Sequence, residues 1–118
     1  MAVHFTCNDP QALLATFTAR IEQADPKGKI TTWQLSNDGS FYTHRAAEVN
    51  RKAWFRPVVD LPLKQLTFLI VKPQNADISR FIYAYYHGHL IETFLTHFDR
   101  MFSAANVSAA PQPGERVQ

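Results

Sequence analysis

Two stretches of the chain repeat apolar residues at the spacing of an amphipathic helix. The first begins at Asp9-Pro10, where Asp is a favoured N-cap and Pro is favoured at the first helical position. It stops before Pro26, because the residue that precedes a proline resists the helical conformation. We predict helices over 10–24 and 78–103. The apolar stripe of the second helix consists of Tyr83, Ala84, Leu90, Ile91, Phe94, Leu95, Phe98, Met101 and Phe102.

The segments between these helices have the pattern of short strands. Asp38-Gly39 is a strong signal for a two-residue hairpin turn, since both central positions of that turn need positive φ. This turn fixes a register in which Trp33 lies opposite His44. Pro57 cannot donate to a strand ladder, so we expect its strand to lie at an edge or to carry a bulge. The predicted strands are 2–6, 30–36, 41–45, 52–59 and 64–72.

The resulting element order, β-α-β-β-β-β-α, predicts an α+β fold. We expect a two-layer sandwich in which both helices cover one face of an antiparallel sheet of four to five strands. One domain occupies 1–103 of the 118 residues. The composition of 104–118 is small, polar and Pro-bearing, which predicts a disordered C-terminal tail.

The composition narrows the class of protein without naming a function. Apolar residues make up 46% of the chain and the formal net charge is +2, so no global nucleic-acid footprint is present. The only cysteine, Cys7, excludes an internal disulfide and suits a reducing cytoplasm. No membrane span and no secretory signal are expected, and we predict a cytoplasmic protein.

Several polar and aromatic side chains are candidates for a small-molecule pocket. His87 lies within the apolar stripe of the second predicted helix, where a buried ring needs a hydrogen-bond partner. It is either a core histidine bonded to a backbone carbonyl or a Tyr hydroxyl, or it faces a pocket together with His44. The candidate ligand-binding residues are Trp33, His44, Arg56, Tyr83 and His87.

A metal site is not expected. His87 and His89 are two residues apart, and that spacing places them about 200° apart on a helix. No metal and no cofactor are therefore assigned.

The first half of the second predicted helix is apolar almost all round. Such a helix is covered either by loops of its own chain or by a second protein. The candidate interface residues are Ile82, Tyr85 and Tyr86, with a second copy or another protein as partner.

A basic cluster interleaved with aromatics supplies a further alternative. Cations beside Trp54 and Phe55 can hold phosphates and stack bases, which would suit nucleic acid. The same residues also fit a solvated loop that leads into a strand. The cations are Arg45, Arg51, Lys52 and Arg56.

The chain shows no familiar catalytic arrangement. No serine lies in a nucleophile elbow, no Gly-rich phosphate loop is present, and no catalytic residue is assigned. The leading hypothesis is a binding or interaction module without catalytic activity that associates with itself. The alternative is a small-molecule-binding protein or minor enzyme with a pocket around His44 and His87.

A set of short motifs resembles small uncharacterised bacterial α+β proteins. The resemblance covers 30–102 and implies a bacterial cytoplasmic protein, but it carries no known function. The motifs are Trp33, Asp38-Gly39, Phe41, Thr43-His44, Ala53-Trp54, Arg56-Pro57, Tyr86-His87-Gly88, Glu92 and His97-Phe98-Asp99.

Overall fold

The structure is a computed structural model that describes residues 2–118. The helices are α1 (Pro10–Glu22) and α2 (Arg80–Phe98). The strands are β1 (Val3–Thr6), β2 (Trp33–Leu35), β3 (Tyr42–His44), β4 (Trp54–Asp60), β5 (Gln65–Val71) and β6 (Ala104–Val107).

All strands join in one antiparallel sheet with the order β2-β3-β4-β5-β1-β6. The predicted α+β class is therefore confirmed. The predicted strand count of four to five is too low, because the described residues form six strands. The additional strand is β6, which pairs with β1 from Val3↔Val107 to Thr6↔Ala104.

The hairpin register predicted from Asp38-Gly39 is confirmed. Trp33 lies opposite His44, and Leu35 lies opposite Tyr42. The predicted two-residue turn at Asp38-Gly39 is wrong in its details, because Gly39 has a φ of 77° whereas Asp38 is not among the described residues with positive φ. The Gly39 amide donates to the Ser36 carbonyl, so Asn37 and Asp38 are the central residues of the turn. The Asp38 carboxylate accepts hydrogen bonds from the Ser36 hydroxyl and the Ser40 amide, which stabilises the turn.

The expectation that the strand with Pro57 lies at an edge or carries a bulge is wrong, because β4 is an interior strand and its register with β5 is continuous. β4 lies between β3 and β5, and it pairs with β5 along its whole length. Its register with β3, however, contains the single pair Tyr42↔Phe55. Pro57 therefore lies where β3 no longer runs alongside, and its missing N–H costs no ladder bond there.

Both helices cover the same face of the sheet. The Phe17 ring of α1 and the Phe94 ring of α2 each contact the Phe68 ring of β5, with centroids 5.8 and 5.6 Å apart. Phe17 and Phe94 also contact each other at 5.0 Å. The alternation of β5 sends Leu66, Phe68 and Ile70 into this core, where all three are fully buried.

The helix ends carry the side-chain caps that their sequences supply. Asp9 accepts a hydrogen bond from the Ala12 amide, and Ser79 accepts one from the Ile82 amide. α2 is shorter than the predicted 78–103, because the chain turns after Phe98 and returns to the sheet. In the part of the chain that the structure describes, neither helix is long and apolar enough to cross a membrane.

The C-terminal segment differs from the disordered tail expected for 104–118. After β6, the Ser108 amide donates to the Ala2 carbonyl. The Glu115 carboxylate then accepts from the Ile70 amide, and Arg116 forms a parallel bridge with Val71. The segment thus continues the sheet beside the part of β5 that β1 does not reach. These partners are distant in the sequence, so the local composition did not indicate them.

Candidate ligand-binding cleft

A cleft of about 600 Å³ lies beside the β2–β3 hairpin and the adjoining ends of β4 and β5. Its walls combine aromatic, amide and cationic side chains. The lining residues are Gln34, Leu35, Ser36, Asn37, Asp38, Phe41, Arg51, Trp54, Val71, Lys72, Pro73 and Gln74.

Strand alternation places the aromatic wall of this cleft. Trp54 lies opposite Val71, and Phe55 lies opposite Ile70 in the next pair. Because Phe55 and Ile70 enter the helix-covered core, Trp54 and Val71 face the other side of the sheet. Trp54 remains half-buried there, so its ring is available to a ligand.

The loop before β4 supplies a cation to the same cleft. Arg51 has a φ of 61°, a left-handed conformation that is uncommon for residues other than glycine. Its amide donates to the Thr43 hydroxyl at 3.0 Å, which holds the backbone in that conformation. Its guanidinium forms no hydrogen bond or ion pair with any of residues 2–118 and lines the cleft.

The Thr43 hydroxyl belongs to a buried group that connects α2 with this loop. It donates to the Ala53 carbonyl and lies 3.0 Å from the Tyr86 hydroxyl. The Tyr86 hydroxyl donates to the Val49 carbonyl. The loop that carries Arg51 is therefore fixed to the core by two side chains that do not line the cleft.

The charge balance of the cleft favours an anion. Arg51 and Lys72 are the cations, and Asp38 is the only carboxylate among the lining residues. The hydrogen bond from Ser36, followed by that from the Ser40 amide, lowers the pKa of Asp38 below its usual range. Asp38 therefore stays negatively charged and offsets one of the two cations, which leaves the lining with a formal charge of +1.

The five residues predicted to line a pocket do not meet at one place. Arg56 lies opposite Leu69, and it alternates with the core residue Phe55. Its guanidinium lies instead beside Gly114 of the C-terminal segment. Because Trp33 and His87 are buried on the helix side, Arg56 is on the wrong face of the sheet to share a pocket with them.

His44 and Trp33 are in contact, as the hairpin register predicted. Their ring centroids are 5.1 Å apart, and the Trp33 indole donates to the Thr93 hydroxyl. His44 also contacts Tyr85 and His89 of α2 at 5.1 and 5.0 Å. This cluster is aromatic packing, and its members line none of the cleft described above.

Burial lowers the pKa of His44 to about 4, with a further contribution from His89 that exceeds the opposing effect of Glu92. The ring is therefore neutral at pH 7. Its Nδ1 accepts from the Ala46 amide, so the proton lies on Nε2. Nε2 is buried and has no hydrogen-bond partner among residues 2–118.

His87 has the core environment that we weighed against a pocket role. It is almost fully buried, and its Nδ1 lies 2.6 Å from the Tyr83 carbonyl oxygen. Its ring packs on Tyr83 at 4.6 Å and on Phe55 at 5.2 Å. The contact with a backbone carbonyl fits the interpretation of His87 as a core histidine.

The three candidate interface residues have different surroundings. Tyr86 is fully buried and Ile82 is nearly so, so neither is accessible to a partner in this structure. The loop around Val49 covers Tyr86, so this part of the apolar helix is covered by a loop of its own chain. Tyr85 is half-buried and stacks on His89 with ring centroids 4.1 Å apart.

The basic cluster divides between different places. Arg51 lines the cleft together with Trp54. Arg45 and Lys52 are exposed outside its lining, and Arg56 lies beside Gly114. Nucleic-acid binding through all four cations stays a prediction.

The arrangement of the His, Cys, Asp and Glu side chains in the described residues bears on metal binding and on thiol reactivity. Among residues 2–118, no group of three or more His, Cys, Asp and Glu side chains is arranged to hold a metal ion. Cys7 is buried, and burial raises the pKa of its thiol. A raised thiol pKa lowers the fraction of nucleophilic thiolate at pH 7.

Comparison with known proteins gives no assignment: no protein-family model, no curated protein and no solved structure matches this chain.

Proposed function

We propose that the protein is a binding module whose cleft holds a small, planar, anionic ligand. The observation that carries the proposal is the position of the unpaired Arg51 guanidinium in the same cleft as the half-buried Trp54 and Phe41 rings. Aromatic side chains stack on planar groups, and Arg pairs with carboxylate or phosphate through its fork of N–H donors. Lys72 adds a second cation to the same lining.

The lining supports binding rather than catalysis. It contains no His, Cys or Glu, and the Asp38 carboxylate is held by the hairpin turn. A general acid or base must reach the reacting group with a suitable pKa, whereas the pKa of Asp38 is lowered. The amide and hydroxyl groups of Gln34, Ser36 and Asn37 are suited to orienting a ligand.

Tryptophan fluorescence can test the cleft directly. Trp33 is fully buried, so a ligand in the cleft should quench Trp54. With adenosine 5′-monophosphate and benzoate as probes, we expect saturable quenching that Trp54→Phe removes. Arg51→Ala should weaken binding by about tenfold to a hundredfold, because it removes a charge-assisted pair worth roughly 1.5–3 kcal/mol.

Arg45→Ala is the matched control for that experiment, since Arg45 is an exposed arginine outside the lining. It should bind both probes as the parent chain does. The two probes distinguish a phosphate from a carboxylate as the anion. Equal losses for Arg45→Ala and Arg51→Ala, or no quenching by either probe, would contradict the proposal.

Self-association is a second candidate, and exposed apolar side chains on α2 support it. Phe81 is 65% exposed and Leu95 is 54% exposed. Phe81 contacts Tyr85 at 5.6 Å, and Ala84 and Gly88 on the exposed side leave room for close approach. Large exposed apolar groups that cluster on one surface are typical of an interface.

Analytical ultracentrifugation tests this second candidate. We expect a concentration-dependent dimer of the parent chain and a monomer for Phe81→Ser, because the substitution removes the largest apolar contact of the surface. Leu61→Ser is the control, since Leu61 is 55% exposed and lies outside α2. A monomeric parent chain at the highest soluble concentration would rule out a dimer through this face.

A further inference from the structure

β4 is longer than the strand beside it, and this leaves part of its backbone without a neighbour. β3 pairs with β4 only at Tyr42↔Phe55, whereas β4 continues to Asp60. On the other side β4 pairs with β5 as far as Asp60↔Gln65. In the described part of the chain, no strand continues the ladder on the β3 side of β4 beyond Phe55.

A groove runs along this free edge, between β4 and one face of α1. We call it the α1–β4 groove, and its open volume is about 800 Å³. The lining residues are Gln11, Leu14, Ala15, Thr18, Ala19, Glu22, Gly39, Ser40, Tyr42, Pro57 and Val59.

The sequence explains why this groove is open. In α1, Leu13 and Phe17 enter the core, while Leu14 and Thr18 point towards the groove. The hairpin turn at Gly39 takes the chain away from the sheet before it could cover β4. At the bottom of the groove, the Tyr42 hydroxyl lies 2.6 Å from the Thr18 hydroxyl.

We propose that the α1–β4 groove binds an extended peptide segment of a partner protein, which adds to the sheet beside β4. A free strand edge presents backbone N–H and C=O groups that an extended chain can pair with. The apolar groups of Leu14, Ala15 and Val59 would receive alternate side chains of that segment.

Two residues restrict the segment that fits. Pro57 has no N–H, so it limits backbone pairing and disfavours indiscriminate strand addition. Glu22 is exposed in the wall of the groove and is its only charged residue. The partner segment is therefore expected to carry a Lys or Arg among alternating apolar residues.

A blocked synthetic peptide tests this proposal in the full chain. The probe has the sequence Lys-Val-Thr-Val-Thr-Val-Lys, and its binding is followed by amide chemical shifts in two-dimensional NMR. We expect saturable shifts at Val59 and Thr18 with a Kd below about 1 mM. A second peptide carries N-methyl groups at alternate residues, which removes the donors along one edge, and it should bind at least about tenfold more weakly.

A substitution on the helix wall separates the groove from other surfaces. Ala15→Arg should block the groove and abolish the shifts, whereas Thr96→Arg, at an exposed position of α2, should leave them unchanged. Both positions are exposed and helical, so both variants should fold. Equal binding of the two peptides, equal effects of the two variants, shifts centred on Trp54, or no binding at about 1 mM would each overturn the proposal.

Discussion

Replacing Phe68 with Ala is expected to lower the free energy of unfolding by about 3–5 kcal/mol, the range typical of Phe→Ala in a core. Phe68 is fully buried at the centre of the sheet, and rings of both helices and of three other strands pack on it. Its aromatic neighbours are Phe5, Phe17, Tyr42, Phe55 and Phe94. The loss should be measured by urea denaturation followed by circular dichroism.

Leu63→Ala is the control for Phe68→Ala. It truncates a large apolar side chain that is 65% exposed and lies outside α2, so a change within about 0.5 kcal/mol is expected. If the two substitutions destabilised the protein equally, Phe68 would not be at the centre of the core. Phe68→Leu should recover much of the loss, because it refills most of the cavity.

The elements that the sequence predicted well are those with local signals. Asp38-Gly39 marks the position of the hairpin and its Trp33↔His44 register correctly, although the turn is centred on Asn37 and Asp38. Asp9 and Pro10 mark the start of α1 in the same way. Such signals depend on neighbours in the chain, so they can be recognised before the fold is known.

β6 and the C-terminal segment were missed because their partners are distant. Ala104-Ala105-Asn106 has little intrinsic strand preference, and it becomes a strand by pairing with β1. Arg116 is held by pairing with Val71. A composition rich in small and polar residues therefore indicated disorder, while the free edges of β1 and β5 determine the outcome.

The cleft was not predicted as a ligand site. Arg51 and Trp54 are close in sequence, and they were considered only as part of a nucleic-acid alternative or a solvated loop. Lys72 joins them only through the Trp54↔Val71 register of β4 and β5. The predicted His44–His87 pocket was instead inferred from the apolar stripe of the second helix. An apolar stripe shows which side chains face the interior, but it does not show whether the interior is packed or contains a cavity.

Replacing Tyr86 with Phe is expected to destabilise the fold by about 1–3 kcal/mol and also to weaken the cleft. The substitution keeps the ring and leaves the buried Val49 carbonyl without the hydroxyl that donates to it. It also removes the neighbour of the Thr43 hydroxyl, which holds the Arg51 amide. Hydrogen exchange at the Arg51 amide should become faster, and affinity for the anionic probe should fall by about threefold to tenfold.

Thr43→Val is a second substitution that tests the same hydrogen-bonded group. It removes the acceptor of the Arg51 amide directly, so it should accelerate exchange there at least as much as Tyr86→Phe. Combining the two substitutions should cost less than the sum of the separate losses, since both act on one hydrogen-bonded group. Additive losses of stability would contradict the expected coupling between the two side chains. Unchanged affinity for the probe despite faster hydrogen exchange at the Arg51 amide would show that the left-handed backbone at Arg51 does not position its guanidinium for the ligand.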